Sequence, residues 1–338
     1  MSARESILPV FVPHLGCPHA CVFCNQRRIS GAQRAATAED VRNTITKAAA
    51  FLPRGGKRQL AFYGGSFTAI PAPEQEALLA AAKEALDRGE IDAVRLSTRP
   101  DAIDGAVLDR LRRCRVETVE LGAQSMDDEV LRLSGRGHTA ADVERAARLV
   151  KSAGFRLILQ MMTGLPGDTP EKDLDSARRI IALRPDGVRI YPTVIVRDTE
   201  LCDMWRRGAY REHSVEDAVE TCARLLPLFE AAGVPVIRLG LNPTEELSAG
   251  AAVGGAYHPA LGELVKSRVL LNRARALLKD VPPGSRVTLE VGKGRRSQMT
   301  GQHRENIRKL TEEFSLASLE ICENAEIKAE IAMIIIEK

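Results

Sequence analysis

Residues 7–24 read ILPVFVPHLGCPHACVFC, an apolar run from Ile7 to Val12 followed by a loop that carries Cys17, Cys21 and Cys24. Chance explains this triple poorly: seven cysteines spread over 338 residues give such spacing in roughly one chain in several hundred. Three thiolates from one loop can hold three irons of a 4Fe-4S cube and leave the fourth open to a small molecule. That asymmetry points to catalysis rather than electron storage. The alternative is a structural zinc site completed by His14 or His19, but no second CxxC or HxxxH follows downstream. A disulfide framework is a weaker reading, because the cysteine count is odd and no export signal precedes the run. Cys114, Cys202, Cys222 and Cys322 are scattered through apolar or amphipathic stretches. They are expected to be buried small residues, with no auxiliary cluster at Cys202 or Cys322.

The pattern of strand, polar loop and helix repeats beyond that first unit. Apolar runs predict strands at Ile7 to Pro13, Gln59 to Tyr63, Ala93 to Leu96, Thr118 to Leu121, Arg156 to Met161 and Gly187 to Tyr191. Helical periodicity fills the gaps at Ala38 to Phe51, Pro73 to Asp87, Ala106 to Arg113, Ala140 to Ala153 and Pro170 to Leu183. Thr37 and Thr139 stand as N-caps, Pro170 at a first turn, and Gly89, Gly154 and Gly233 where helices should stop. Alternation of this kind predicts an α/β fold with a parallel sheet and right-handed crossovers, a partial (β/α)6 TIM-like barrel. Ligands of such sheets bind at the carboxyl ends of the strands. The loops Gly64-Gly65-Ser66, Ser97-Thr98-Arg99-Pro100, Gly122-Ala123-Gln124-Ser125 and Thr163-Gly164-Leu165-Pro166-Gly167 all fall there, with the cysteine loop. One site is expected.

After Leu241 the pattern changes. Asn242 to His258 reads as a linker or surface loop, followed by a helix from Leu261 to Leu278 and a strand from Arg286 to Val291. Two further apolar runs lie between Leu316 and Glu337. The expected domains are therefore residues 1–241 and a small α+β domain, residues 242–338. Apolar content of 44% and charged content of 28% fit a globular chain, and Ile331 to Ile336 is too short to span a bilayer. Free thiols without an export signal suggest the cytoplasm. A net charge of +3 permits contact with nucleic acid without arguing for it.

Paired glycines after a strand give a tight turn, and they also let backbone carbonyls approach a ligand ammonium. Gln124 offers an amide for a ribose or adenine edge, and Arg136 a guanidinium for a carboxylate. The cysteine spacing, the Gly-Gly loop, Glu120-Leu121-Gly122-Ala123-Gln124-Ser125 and Gly164-Leu165-Pro166-Gly167 together resemble the radical S-adenosylmethionine (radical SAM) superfamily. The stretch from Glu120 to Pro170, with Arg136-Gly137-His138-Thr139 inside it, and Arg189-Ile190-Tyr191-Pro192-Thr193 through Gly208 resemble the radical core of the Elongator complex catalytic subunit.

That resemblance implies two cofactors, a 4Fe-4S cluster on Cys17, Cys21 and Cys24, and S-adenosylmethionine on its fourth iron. Backbone at Gly64, Gly65 and Ser66 would hold the methionine amino group, and Arg136 the carboxylate. Gln124, Ser97 and Met162 would flank the ribose and adenine, with Phe23 over the cluster or the adenine. An external electron donor is implied, and a 5′-deoxyadenosyl radical that abstracts hydrogen from a substrate, RNA by family analogy. No residue is assigned a catalytic acid–base role, and Tyr191 and Tyr257 are expected in core or surface positions. Many relatives carry Glu where Ser66 and Ser97 stand, so the amino-group contact here would rest on backbone and hydroxyl. The 98 residues after Gly240 are too few for the acetyltransferase domain of the Elongator subunit, so its acetyl-coenzyme A reaction is not carried over.

Lys293-Gly294-Arg295-Arg296-Ser297-Gln298, Gly301-Gln302-His303-Arg304 and Arg308-Lys309 form a basic run. It reads as a solvated loop, or as a phosphate or RNA contact through exposed amides and clustered Arg. Two rival functions stand beside the main one: an enzyme like oxygen-independent coproporphyrinogen oxidase, and a zinc-stabilised, non-catalytic RNA-binding protein.

Overall fold

Seven apolar runs line up as the parallel strands of one curled sheet, a half-barrel in which each strand pairs with the next along the chain. The computed structural model describes residues 5–12, 16–17, 21–25, 29, 34–49, 56–327 and 333–337. The strands are β1 Glu5–Phe11, β2 Lys57–Tyr63, β3 Ala93–Thr98, β4 Val116–Gln124, β5 Arg156–Thr163, β6 Gly187–Pro192 and β8 Val236–Leu239. Between β6 and β8, Val194–Val196 forms β7, which pairs antiparallel with β9, Ala252–Gly255. Central strands are buried on both faces, as helices cover the outside and the lumen closes the inside. In β4, Val119 and Leu121 pack outward under helices, while Glu120, Gly122 and Gln124 alternate on the lumen side.

The expected helices form within two residues at each end that is described; the expected ends at Pro13, for the first strand, and Phe51, for the first helix, lie outside the described residues. Thr139 and Asp142 make a reciprocal capping box, and Thr169 caps the helix that Pro170 begins. Gly89 closes the helix Ala72–Asp87 at φ 68°, with its N–H on Leu86 O and that of Glu90 on Ala85 O.

Two compact units emerge: residues 1–214 with 228–257, and residues 215–227 with 258–338. This differs from the expected boundary at 241/242. Residues 252–255 belong to the first unit because they pair with β7, so the stretch read as a linker contains a strand and a helical turn, Leu247–Ala251.

The second unit has its own core. A three-stranded sheet places β10, Arg286–Val291, between β11, Ser318–Glu323, and β12, Met333–Glu337. Helix Leu261–Leu278 contributes Leu270, Leu271 and Leu278 to a cluster with Val287, Leu289 and Ile321. Cys222 and Cys202 are buried as expected, but Cys322 is exposed and Cys114 only half-buried. On β11, Leu319 and Ile321 take the inward face and strand alternation turns Cys322 out. No helix among the described residues is long and apolar enough to cross a membrane.

Candidate active site

At the carboxyl end of the half-barrel, the loops surround a cavity of about 490 Å³. Cys17, Cys21 and Cys24 line it together with Gly64, Gly65 and Ser66. Ser97, Gln124, Arg136 and Met162 line it too, so the residues expected to hold the cluster and S-adenosylmethionine meet around one space.

Local chemistry explains each placement. Gly16 sits at φ 72°, and a Cβ there would lie 2.2 Å from Ser66 O and 2.8 Å from Ile70 N. Only glycine lets the cysteine loop pack against the Gly64-Gly65-Ser66 loop, which brings Cys17 to the cavity. Burial raises the Cys17 thiol above its usual pKa, with the Cys21 sulfur adding to the rise, while Arg136 and Arg99 oppose it. A turn closed by Cys24 N on Cys21 O at 3.0 Å sets the other two cysteines. Phe23 reaches from this turn to Met162 and Leu165 and lines the same cavity.

Gln124 ends β4 at φ 67°, where the pairing with β5 shifts register between Gly122 and Gln124. This bulge turns its amide into the cavity, and its Oε1 is buried without a partner. Arg136 donates from Nη1 to Cys21 Sγ at 3.2 Å and from Nη2 to Gly122 O at 2.8 Å, while its Nε is buried and unpartnered. Gly122 leaves room for both groups, since a Cβ there would meet Gln124 Nε2 at 3.0 Å and Arg136 Nη2 at 3.2 Å.

The Ser66 hydroxyl is not available to a ligand. It lies 3.1 Å from Thr98 Oγ1, accepts from Arg99 N at 3.2 Å, and is 1% exposed. Any contact at Ser66 is left to the backbone. Ser97 Oγ accepts from Gln160 Nε2 at 3.1 Å. His138 is buried beside the site with Nε2 on Ala123 O at 3.2 Å; burial and the Arg136 charge push its pKa down to about 4.

A group on the lumen wall escaped the sequence reading. Glu120, fully buried, pairs with Arg95 Nε at 2.8 Å and Arg189 Nε at 2.9 Å. It also accepts from Tyr63 OH at 3.0 Å and Gln160 Nε2 at 2.9 Å. The signal was present in sequence, as polar residues inside apolar strands, Arg95, Glu120, Gln160 and Arg189, each two positions before a residue of the cavity wall, Ser97, Gly122, Met162 and Tyr191. Tyr191 also lines the cavity, and burial raises its hydroxyl pKa. Tyr257 instead packs on the Val194–Val196 cluster, with its OH 3.0 Å from Ser248 Oγ.

His14 and His19, the candidate zinc ligands, lie outside the described residues. Among the described residues, no three His, Cys, Asp or Glu side chains gather to hold a single ion. In a 4Fe-4S cube each thiolate takes a different iron, so ligands stand farther apart than around one zinc. Three thiols on one cavity wall, an adjacent guanidinium, and the unpartnered Gln124 Oε1 and Arg136 Nε fit a cluster with a polar co-ligand.

The basic run lies in the second unit. There Gly294 N and Arg296 N donate to Glu323 Oε1 at 3.1 and 3.4 Å, so these amides are already occupied.

Residues 11–180, about half of the chain, match the radical SAM superfamily model. The chain belongs to the radical SAM superfamily. Residues 185–270 match the radical SAM C-terminal domain, and membership of the superfamily makes this chain an enzyme. Human Elongator complex protein 3 is 35% identical over 138 residues, 40% of this chain and 25% of that protein. The tRNA uridine(34) acetyltransferase of Methanocaldococcus infernus is 34% identical over 131 residues, 38% of this chain and 24% of that protein. The radical SAM chain thus covers about a quarter of the length of these curated relatives. The structure of archaeal Elp3 from Methanocaldococcus infernus superposes with a TM-score of 0.63 at 22% identity, over 86% of this chain and 72% of that one. That likeness shows a shared fold.

Proposed function

We propose that this radical SAM enzyme holds a 4Fe-4S cluster on Cys17, Cys21 and Cys24 and acts on RNA in the cytoplasm. Once held here and given one electron by an external donor, the cluster and S-adenosylmethionine would supply reductive cleavage of the sulfonium and removal of a hydrogen atom from the substrate. The observation that carries the reading is the meeting of the cysteine loop and four strand-end loops around one cavity.

The chain's own residues bind, orient and exclude water. Gly64 and Gly65, which line the cavity, would offer their carbonyls to an ammonium, while Ser66 O accepts from Ala69 N at 3.0 Å and the Ser66 hydroxyl is turned into the Thr98 and Arg99 contacts. Arg136, held by Gly122 O beside Cys21, presents its guanidinium to a carboxylate. The free Gln124 Oε1 suits a ribose hydroxyl or adenine amine, and Met162 gives the adenine an apolar wall. Phe23, packed against Met162 and Leu165, adds an apolar wall beside the thiols. Reduced thiols on an open loop suit the cytoplasm. RNA is proposed because the relatives include proteins named for transfer RNA uridine modification. Acetyl transfer is not part of the proposal.

Anaerobic reconstitution with iron and sulfide, reduction by dithionite and chromatography of the products test this function. The wild type should form 5′-deoxyadenosine, and Cys17→Ala, Cys21→Ala and Cys24→Ala should form none. Equal product from all four proteins would refute the cluster assignment.

A further inference from the structure

A second cavity of about 270 Å³ opens toward the amino ends of the same strands. Arg95, Arg156, Arg189 and Arg238 line it, with Glu5 as the single acid among the described lining residues. Arg95 and Arg189 are 4% and 8% exposed and share the single carboxylate of Glu120, so the three side chains keep one net positive charge. Glu120 is saturated, since four side chains already reach its two oxygens.

Arg238 has no such partner. Its Nε donates to Gly240 O at 3.0 Å, and no carboxylate pairs with it among the described residues. Burial, and the charge of Arg189 nearby, lower its pKa. A half-buried guanidinium beside a second one is costly unless an anion joins them. Two more groups await a partner on the same lumen face. Gln59, four residues before Tyr63, is 1% exposed with both amide atoms unpaired. Thr118, the register partner of Arg95 and two residues before Glu120, is 1% exposed with its hydroxyl unpaired.

We propose that this end of the lumen binds an anionic oxygen group, a phosphate or a carboxylate, through Arg238 and the Arg95–Arg189 pair. Guanidinium forks match both groups bidentately. Ile7, Arg189 and Asn242 border both cavities, so a molecule anchored here extends toward the cysteine loop. In the proposed function, on which this step rests, the anion is the far end of the substrate, and hydrogen is taken from the end near the cysteines.

Isothermal titration calorimetry of the full chain, without added iron, separates this site from the cluster. Inorganic phosphate and succinate are titrated apart at fixed ionic strength. Saturable binding of either supports the site, and the one that binds names the group. Arg238→Gln should weaken it about tenfold, as loss of a charged hydrogen bond does, and Arg238→Lys should recover part. Arg295→Gln with Arg296→Gln, on the basic run of the other unit, should change nothing. As a check that needs no variant, the bound anion should raise the Tm of the wild type above that in chloride of equal ionic strength. Absence of binding, binding unchanged in Arg238→Gln, or binding lost in the Arg295/Arg296 variant would overturn the proposal. Iron and sulfide content after reconstitution reports separately on the cluster.

Discussion

Glu120 Oε1 stands 2.8 Å from Arg95 Nε at the centre of the lumen, with Glu120 fully buried and Arg95 4% exposed. The same carboxylate holds Arg189, Tyr63 and Gln160, so strands β2 to β6 converge on it. Removing its charge leaves two buried guanidiniums uncompensated. Glu120→Gln should therefore lower stability by about 3–5 kcal/mol, the usual cost of breaking a buried pair from one side. Urea denaturation measures it. A loss under 1 kcal/mol would show that water already compensates the arginines.

Gly16 and Gly89 both sit at positive φ, at 72° and 68°, but only Gly16 is crowded. Gly89→Ala should cost about 1 kcal/mol of stability, the ordinary strain of a left-handed alanine, and leave iron loading intact. Gly16→Ala drives a Cβ into Ser66 O and displaces Cys17, so its iron content after reconstitution should fall severalfold at unchanged helix content. Circular dichroism and iron analysis of the two variants decide the matter.

His138 carries a pH signature. Its folded pKa of about 4 lies below the unfolded value near 6.5. Between these pH values the unfolded chain binds the extra proton, so stability falls as pH drops from about 6.5 to about 4 and is flat above. The contribution is about 2–3 kcal/mol across that window. His138→Gln should remove that part of the slope in urea midpoints taken between pH 4 and 7; an unchanged slope would assign it to other groups.

Arg136 bridges Cys21 Sγ and Gly122 O with two different nitrogens. A lysine has three donors on one nitrogen and no planar fork, so it does not match contacts set for two separate nitrogens. Arg136→Lys should keep cluster content and weaken S-adenosylmethionine binding by about tenfold, read by equilibrium dialysis of the reconstituted protein. Unchanged affinity would place the carboxylate elsewhere.

Much of the first unit was legible in sequence. Six of the seven sheet strands and five of the helices between them announce themselves by period, caps and glycine stops, whereas the short helices Asp128–Leu133 and Glu200–Arg206 and the longer Val215–Ala231 were not read. β8 escaped because it has only four residues, with a half-buried or exposed pattern, and follows Gly233-Val234-Pro235. β7 and β9 escaped because Val194–Val196 continues straight from β6 and Ala252–Gly255 is Gly/Ala-rich, so only tertiary pairing makes strands of them.

At the site, loop position after successive strands was enough to bring the cysteines, Gly64, Gln124 and Arg136 together. What spacing does not carry is where a hydroxyl points, as with Ser66, or which wall neighbours close around a carboxylate, as with Glu120. Those depend on register between strands far apart in sequence. Cys322 makes the same point: an apolar neighbourhood in sequence became an outward position once β11 took its register.

Electron paramagnetic resonance of the anaerobically reconstituted, dithionite-reduced chain, with and without S-adenosylmethionine, tests the central claim most directly. A reduced 4Fe-4S signal is expected, with g values that shift when S-adenosylmethionine is added, because three thiolates leave one iron open to it. A signal that ignores S-adenosylmethionine, or a colourless chain that loads zinc and shows no iron signal, would contradict it.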